Sequence, residues 1–393
     1  MSSTTKINLT GSTWGHERGY GPLIKLNEER NSIFAASVDW KIRSLKEFGD
    51  HSLEDLAERF DLIVFDHPFT GLIAEKNLLL ALDEHIDQAY LDDQRVSQIG
   101  KAYESYVRDG HIYALPIDVA GHVSARRQDL FDKHGISVPR TWGEILTLAK
   151  ETKYSKGSLV VIPGFDVDLW CLFVTYCANH GFPPYRNGKQ AVAREMGEQA
   201  LRYIKTLSDL SPNESRSWNP IETLDAMSTR DEFIYTPGLF GYSNYSKAGF
   251  RDSLITFGAL ADGGNGSMGG ILGGAGIGIS KRCKYPKEAV EVVKVLCSPE
   301  IQRGLYVTYG GQPGHRSAWE DAGNNASLND FFGNTLATLD HSYLRPTFTG
   351  FVPVQTHSSA AVWDYVHEKS SLTQTLDRLD DIYAKAFSAA HSS

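Results

Sequence analysis

The residues best equipped for chemistry in this chain are polar and aromatic side chains gathered in short, loop-like stretches. Trp14, His16 and Arg18 share one such stretch, Asp66 and His67 are adjacent, and Asp118 stands alone in an apolar run. Further along come Phe165-Asp166, the pair Tyr242 and Tyr245, the glycines Gly273-Gly274, then Gln312 and Arg316. This inventory suits recognition of a polyhydroxylated solute. Carboxylates accept paired hydrogen bonds from neighbouring hydroxyls, while aromatic faces cover the C–H side of a ring. Asp66 is the first choice as hydroxyl acceptor and Asp118 the second, with His16 and Arg18 as donors. Trp40, Tyr242 and Tyr245 are stacking candidates, as are Trp170 and Trp363. Gly273 and Gly274 would let backbone approach a ligand closely. Each side chain also has a structural alternative: a helix cap or hinge hydrogen bond for the carboxylates, core packing for the aromatics.

Two further chemistries stay open. Arg316, Arg18 and His16 together would suit a carboxylate, sulfonate or phosphate, because a guanidinium forks onto such groups. Asp66 and Asp118 would serve as the carboxyl pair of a glycosidase, provided they faced one bond at a fixed separation. Sharper signatures are missing. Gly264-Asn265-Gly266-Ser267-Met268-Gly269 has the spacing of a dinucleotide fingerprint, but it sits in a glycine run and joins no strand to a helix. The 13 histidines are scattered without ligand spacing. No cofactor and no metal is expected.

The elements that position these residues follow from length and pattern. At 393 residues the chain exceeds what one hydrophobic core usually serves, so two domains are expected. With 41% hydrophobic and 22% charged residues it reads as a soluble globular protein. The balance of 39 Lys plus Arg against 48 Asp plus Glu gives a net charge of −9, which argues against nucleic acid as a partner. No run approaches the ~18 to 20 apolar residues that span a bilayer. Residues Met1 to Thr10 show no export signal, so either such a signal was removed or the protein is cytoplasmic. Cys171, Cys177, Cys283 and Cys297 lack Cys-x-x-Cys spacing and read as free core thiols.

The first third alternates strands and helices in the manner of βαβ units with a largely parallel sheet. Strands are expected over Lys6 to Leu9, Ile33 to Val38 and Leu62 to Phe65. Their carboxyl ends lead into the loops holding Trp14 to Gly19, Asp39-Trp40 and Asp66 to Gly71, where open α/β sheets bind ligands. Ser52 is expected to cap a short helix, Thr141 and Glu144 form a capping box, and Pro299 opens a helix.

The runs Asp109 to Pro116, Val138 to Ile145, Tyr285 to Ala289 and Ser298 to Gln302 resemble the family 1 extracellular solute-binding proteins of bacterial ABC importers, and the resemblance covers most of the chain. It implies an α/β, two-lobed, periplasmic-binding-protein-like (Venus flytrap) fold with two to three hinge crossings. The lobes are expected over 1–117 plus 250–311 and over 118–249 plus 312–393, with a ligand cleft between them. It further implies a monomeric, periplasmic, non-enzymatic protein that captures a small-molecule solute, most often a carbohydrate, and delivers it to the transmembrane subunits of an ABC permease. Arg126-Arg127 departs from the aromatic or neutral residues that relatives often carry there.

Overall fold

In the computed structural model the described residues are 7–29, 36–44, 52–153, 159–264 and 269–391. The chain forms two compact units. The first comprises Met1–Val119, Gly273–Asn324 and Thr347–Thr349, the second Ala120–Leu272, Asn325–Pro346 and Gly350–Ser393. The backbone therefore leaves the first unit after Val119, returns at Gly273 and leaves again after Asn324, with 347–349 as a brief return. This division assigns 250–272 to the second unit and 312–324 to the first, the reverse of the boundaries drawn from sequence. Hydrogen bonds explain both. Asp262 N–H donates to the Arg140 carbonyl, and Gln312 Nε2 donates to the Val119 carbonyl.

In the first unit, strands β1 (Asn8–Trp14), β2 (Ser37–Arg43) and β3 (Leu62–Phe65) pair in parallel in the order β2-β1-β3. A two-residue antiparallel pair, β4 (Val107–Arg108) with β5 (His111–Ile112), lies off this sheet. β6 (Leu115–Arg126) then carries the chain out of the unit. In the second unit β7 (Leu159–Val160) pairs in parallel with β8 (Phe233–Phe240), while β8 and β9 (Thr256–Gly258) pair antiparallel with the end of β6. β10 (Leu272–Ile279) comes back to the first unit and runs antiparallel to β3. The largely parallel sheet expected of the first third is found in β1 to β3, with β10 added antiparallel.

Several local rules explain the elements. Four consecutive buried residues make β3 a central strand, and it covers the span read from sequence. Ser52 caps the helix Leu53–Arg59, and Thr141 accepts from Glu144 N–H at 3.2 Å. The Glu144 carboxylate reaches the Arg140 amide at 2.7 Å, one residue before the expected partner. Ser298 caps the short helix Pro299–Ile301. The helix Asp166–Asn179 is buried on all sides and packs in the core of the second unit.

Two strands depart from expectation. The first was read over Lys6 to Leu9 and runs over Asn8–Trp14, so Trp14 ends the strand and does not stand in the loop after it. Residues 33–35 lie outside the described residues, and β2 runs over Ser37–Arg43. Asp39 and Trp40 are therefore strand residues and not a loop at a strand end. Seven residue pairs set β2 against β1, from Asn8 with Ser37 to Trp14 with Arg43. The four cysteines are free, three of them buried and Cys283 half-buried.

Candidate functional site

The carboxyl ends of β1 and β3 gather several of the candidate side chains, wholly within the first unit. β1 ends at Trp14, and the helix Glu17–Glu28 begins two residues later, capped by His16, whose Nδ1 accepts from Arg18 N–H at 3.0 Å. This cap turns Arg18 inward. Its Nε donates to Asp118 Oδ2 at 2.8 Å and its Nη2 to Oδ1 at 2.6 Å. Both side chains are buried, at 5% and 0% exposure. Burial pushes the Asp118 carboxyl above its ordinary value, against the pull of the Arg18 guanidinium, and the nearby charge of Asp66 adds to the rise.

Asp66 follows β3 and opens the turn His67–Phe69. Its carboxylate lies 3.1 Å from His67 Nδ1 and keeps 29% of its surface open. His67 itself is buried, edge-on to Tyr106 with ring centres 6.4 Å apart. Asp66 keeps more of its side chain exposed than Arg18, His67 or Asp118. Arg316 opens a short helix and lies 3.8 Å from Glu320, with 30% of its side chain exposed.

Several candidates hold structural posts instead. Trp14 is core, packed against Gly19, where a Cβ would meet the indole at 2.4 Å. Asp118 accepts one hydrogen bond from Arg18 on each oxygen and is fully buried, which accounts for it without a ligand. Gln312 is 1% exposed and spends its amide on the Val119 carbonyl, while its own carbonyl accepts from Val119 N–H at 3.1 Å. Gly274 has φ +111°, and a Cβ there would lie 2.3 Å from the Asp118 carbonyl, so close strand packing accounts for this glycine without a ligand. Its neighbour Gly273 is a buried β10 residue. Trp40 is half-buried on β2 with one face on Gly11.

In the second unit the loop after β7 presents Phe165 and Asp166 at the start of the helix Asp166–Asn179. Phe165 is 51% exposed, unusual for a phenylalanine. Phe165 and Asp166 line a concavity of about 410 Å³ together with Arg216, Ser217, Trp363 and Asp364. The loop is held by Gly164 N–H on the Ser215 carbonyl at 2.9 Å and Phe165 N–H on the Trp218 carbonyl at 3.1 Å. Trp363 stacks on His367, with Lys369 Nζ 4.2 Å from its ring centre. Arg216 and Asp364 were missed in sequence because they come from a short turn and a distant helix with no motif around them.

Tyr242 is half-buried before the turn Ser243–Ser246. Tyr245 is core. It is 1% exposed, and its hydroxyl donates to Asp225 at 2.8 Å. Trp170 is also core, its Nε1 donating to the Tyr185 hydroxyl. Arg127, from the departure noted in sequence, is spent on Asp129, Asp231 and the Met227 carbonyl.

With this geometry in place, comparison with known proteins defines the class. The model of the bacterial extracellular solute-binding proteins matches residues 53–325, and the chain belongs to that family. A probable ABC transporter-binding protein of Deinococcus radiodurans is 24% identical over 344 residues, covering 84% of this chain and 80% of that protein. Among solved structures, the maltose-bound MalE3 of T. maritima superposes with a TM-score of 0.83 at 18% identity, over 96% of this chain and 99% of its own. A solute-binding protein from Agrobacterium radiobacter in complex with ribitol gives 0.81 at 19% identity, over 96% and 98%. The fold is the two-lobed α/β fold of these binding proteins. No helix among the described residues is long and apolar enough to cross a membrane.

Proposed function

We propose that this solute-binding protein captures one uncharged polyhydroxylated solute, a sugar or polyol, outside the cytoplasm and delivers it unchanged to an ABC permease. The observation that carries the reading is the partly open Asp66 carboxylate at the end of β3, beside an Arg18 already committed to Asp118. The Phe165, Asp166 and Trp363 surface of the second unit supplies apolar ring faces with a polar edge, the combination that sugar rings require. His67 orients Asp66, and Tyr242 adds a second aromatic. Relatives with bound maltose and ribitol support this solute class. Uptake works by population shift, the solute favouring whichever conformation binds it more tightly.

The competing readings lose their residues. Glycoside hydrolysis needs two free carboxyl groups, and Asp118 has none to give. An anionic solute would draw on His16, Arg18 and Arg316, of which the first two are engaged as a helix cap and an ion pair and the third lies 3.8 Å from Glu320. We take the protein to act as a monomer, as delivery to a permease suits.

A thermal-shift screen tests the proposal. Neutral sugars and polyols should raise the melting temperature by mass action while sugar acids do not, and mass spectrometry should recover the bound solute intact. A response confined to anions, or turnover of a glycoside, would sink it.

A further inference from the structure

Arg18 offers Nε–H and Nη2–H to the two oxygens of Asp118 at 2.8 and 2.6 Å. This parallel fork is the geometry in which a guanidinium takes any carboxylate, a ligand's included. Arg18 lies in the first turn of the 12-residue helix Glu17–Glu28, whose backbone dipole adds positive potential at the same point. The charge of Asp66, which follows β3, is felt at Asp118. Gly274 lets β10 pass close to the Asp118 backbone, where a Cβ would lie 2.3 Å from its carbonyl.

We propose that Asp118 is a built-in substitute for an anionic ligand: it occupies the fork of Arg18, withholds an anion receptor from solutes and so determines that this site selects uncharged ones. An external anion must displace a carboxylate tethered at a high effective concentration. Removing that carboxylate takes both fork partners from a buried guanidinium, and a small anion would replace them. The choice of solutes rests on the sugar reading above, whereas the covering of Arg18 stands on the pair alone.

The experiment compares wild type, Asp118→Ala, Asp118→Ser and the double variant Arg18→Gln/Asp118→Ala by thermal unfolding. Each is measured in sodium formate, in formamide as the uncharged twin, and in sodium chloride at matched ionic strength. Formate should raise the melting temperature of Asp118→Ala and Asp118→Ser by several degrees over both controls, and should do nothing specific to wild type or to the double variant. In Asp118→Ser, glucuronate should also outperform glucose, reversing the wild-type order. If Asp118→Ala does not fold, Asp118→Ser and its double variant with Arg18→Gln carry the comparison. A formate response that is equal in all proteins, or absent from both single variants, overturns the proposal and leaves the pair a structural clasp. A specific formate response in variants of a protein that recognises no neutral sugar would retain the covering of Arg18 and remove the solute assignment.

Discussion

Arg18 and Asp118 lie 100 residues apart in the chain and meet in a two-point ion pair that is almost wholly buried. The pair joins the start of the first helix to β6 just before β6 leaves the first unit. Removing one partner strands the other charge. Arg18→Met or Asp118→Leu alone should therefore cost about 3–5 kcal/mol in urea unfolding, while the double replacement recovers most of that loss. Single variants within 1 kcal/mol of wild type, about the worth of a surface pair, would show that the charges are solvated.

Asp66→Ala should weaken solute binding by about 1–3 kcal/mol in titration calorimetry through loss of a charge-assisted hydrogen bond. Its side chain is 29% exposed, so the melting temperature of the free protein should barely move. Unchanged affinity would remove Asp66 from the recognition surface.

The two aromatic candidates of the second unit should separate cleanly. Phe165→Ala should lower solute affinity by about 0.5–1.5 kcal/mol with little loss of stability, because half of the ring is already exposed. Tyr245→Phe should do the opposite, costing about 1 kcal/mol of stability through the lost bond to Asp225 and leaving affinity alone. Calorimetry and urea melts on both variants check the contrast.

His122 sets an acid limit on stability. It is buried on β6, with Nδ1 2.9 Å from Thr175 Oγ1 and its ring edge-on to Phe240. Burial, with the Arg345 charge adding to it, holds its pKa down at about 3. Between the unfolded value of about 6.5 and that folded value, the unfolded chain binds a proton that the folded chain refuses. Stability should therefore fall as pH falls through this window, by at most about 1.4 kcal/mol per unit. His122→Gln should flatten the fall, as read from urea midpoints at several pH values from neutral to acid.

Asp168 has the opposite sign. Burial in the first turn of the helix Asp166–Asn179, with Asp166 and Glu222 nearby, raises its carboxyl well above the ordinary value. The folded chain keeps this proton where the unfolded chain loses it, so stability falls as pH rises from the unfolded value of about 4 towards the folded one. Asp168→Asn should be more stable than wild type at pH 7 and lose that advantage at pH 4. Equal stability at both would show an ionised, solvated side chain.

Local pattern carried much of the fold into the sequence. The four apolar residues of β3, the caps at Ser52 and Thr141 and the proline at 299 each act within a few residues, and each is found where it was read. β2 was misplaced because its burial pattern is set by pairing with β1, 29 positions away at Asn8 and Ser37, and not by its own alternation. The candidate site divides in the same way. The position of Asp66 directly after β3 was legible. The engagement of Asp118 by Arg18, and of Tyr245 by Asp225, depends on long-range meetings that no spacing announces. Tyr242 and Tyr245, three residues apart, look alike in sequence and differ only in which one the core swallows.

The free thiols make the molecule a reporter of its own opening. Cys171, Cys177 and Cys297 are buried, and burial pushes the thiols of Cys177 and Cys297 far up, while the half-buried Cys283 is held at about 12. Thiolate is the reactive form, so native cysteines should resist alkylation until a unit unfolds around them. Because Cys171 and Cys177 lie in the second unit and Cys283 and Cys297 in the first, the order in which they acquire label would time the failure of each unit separately.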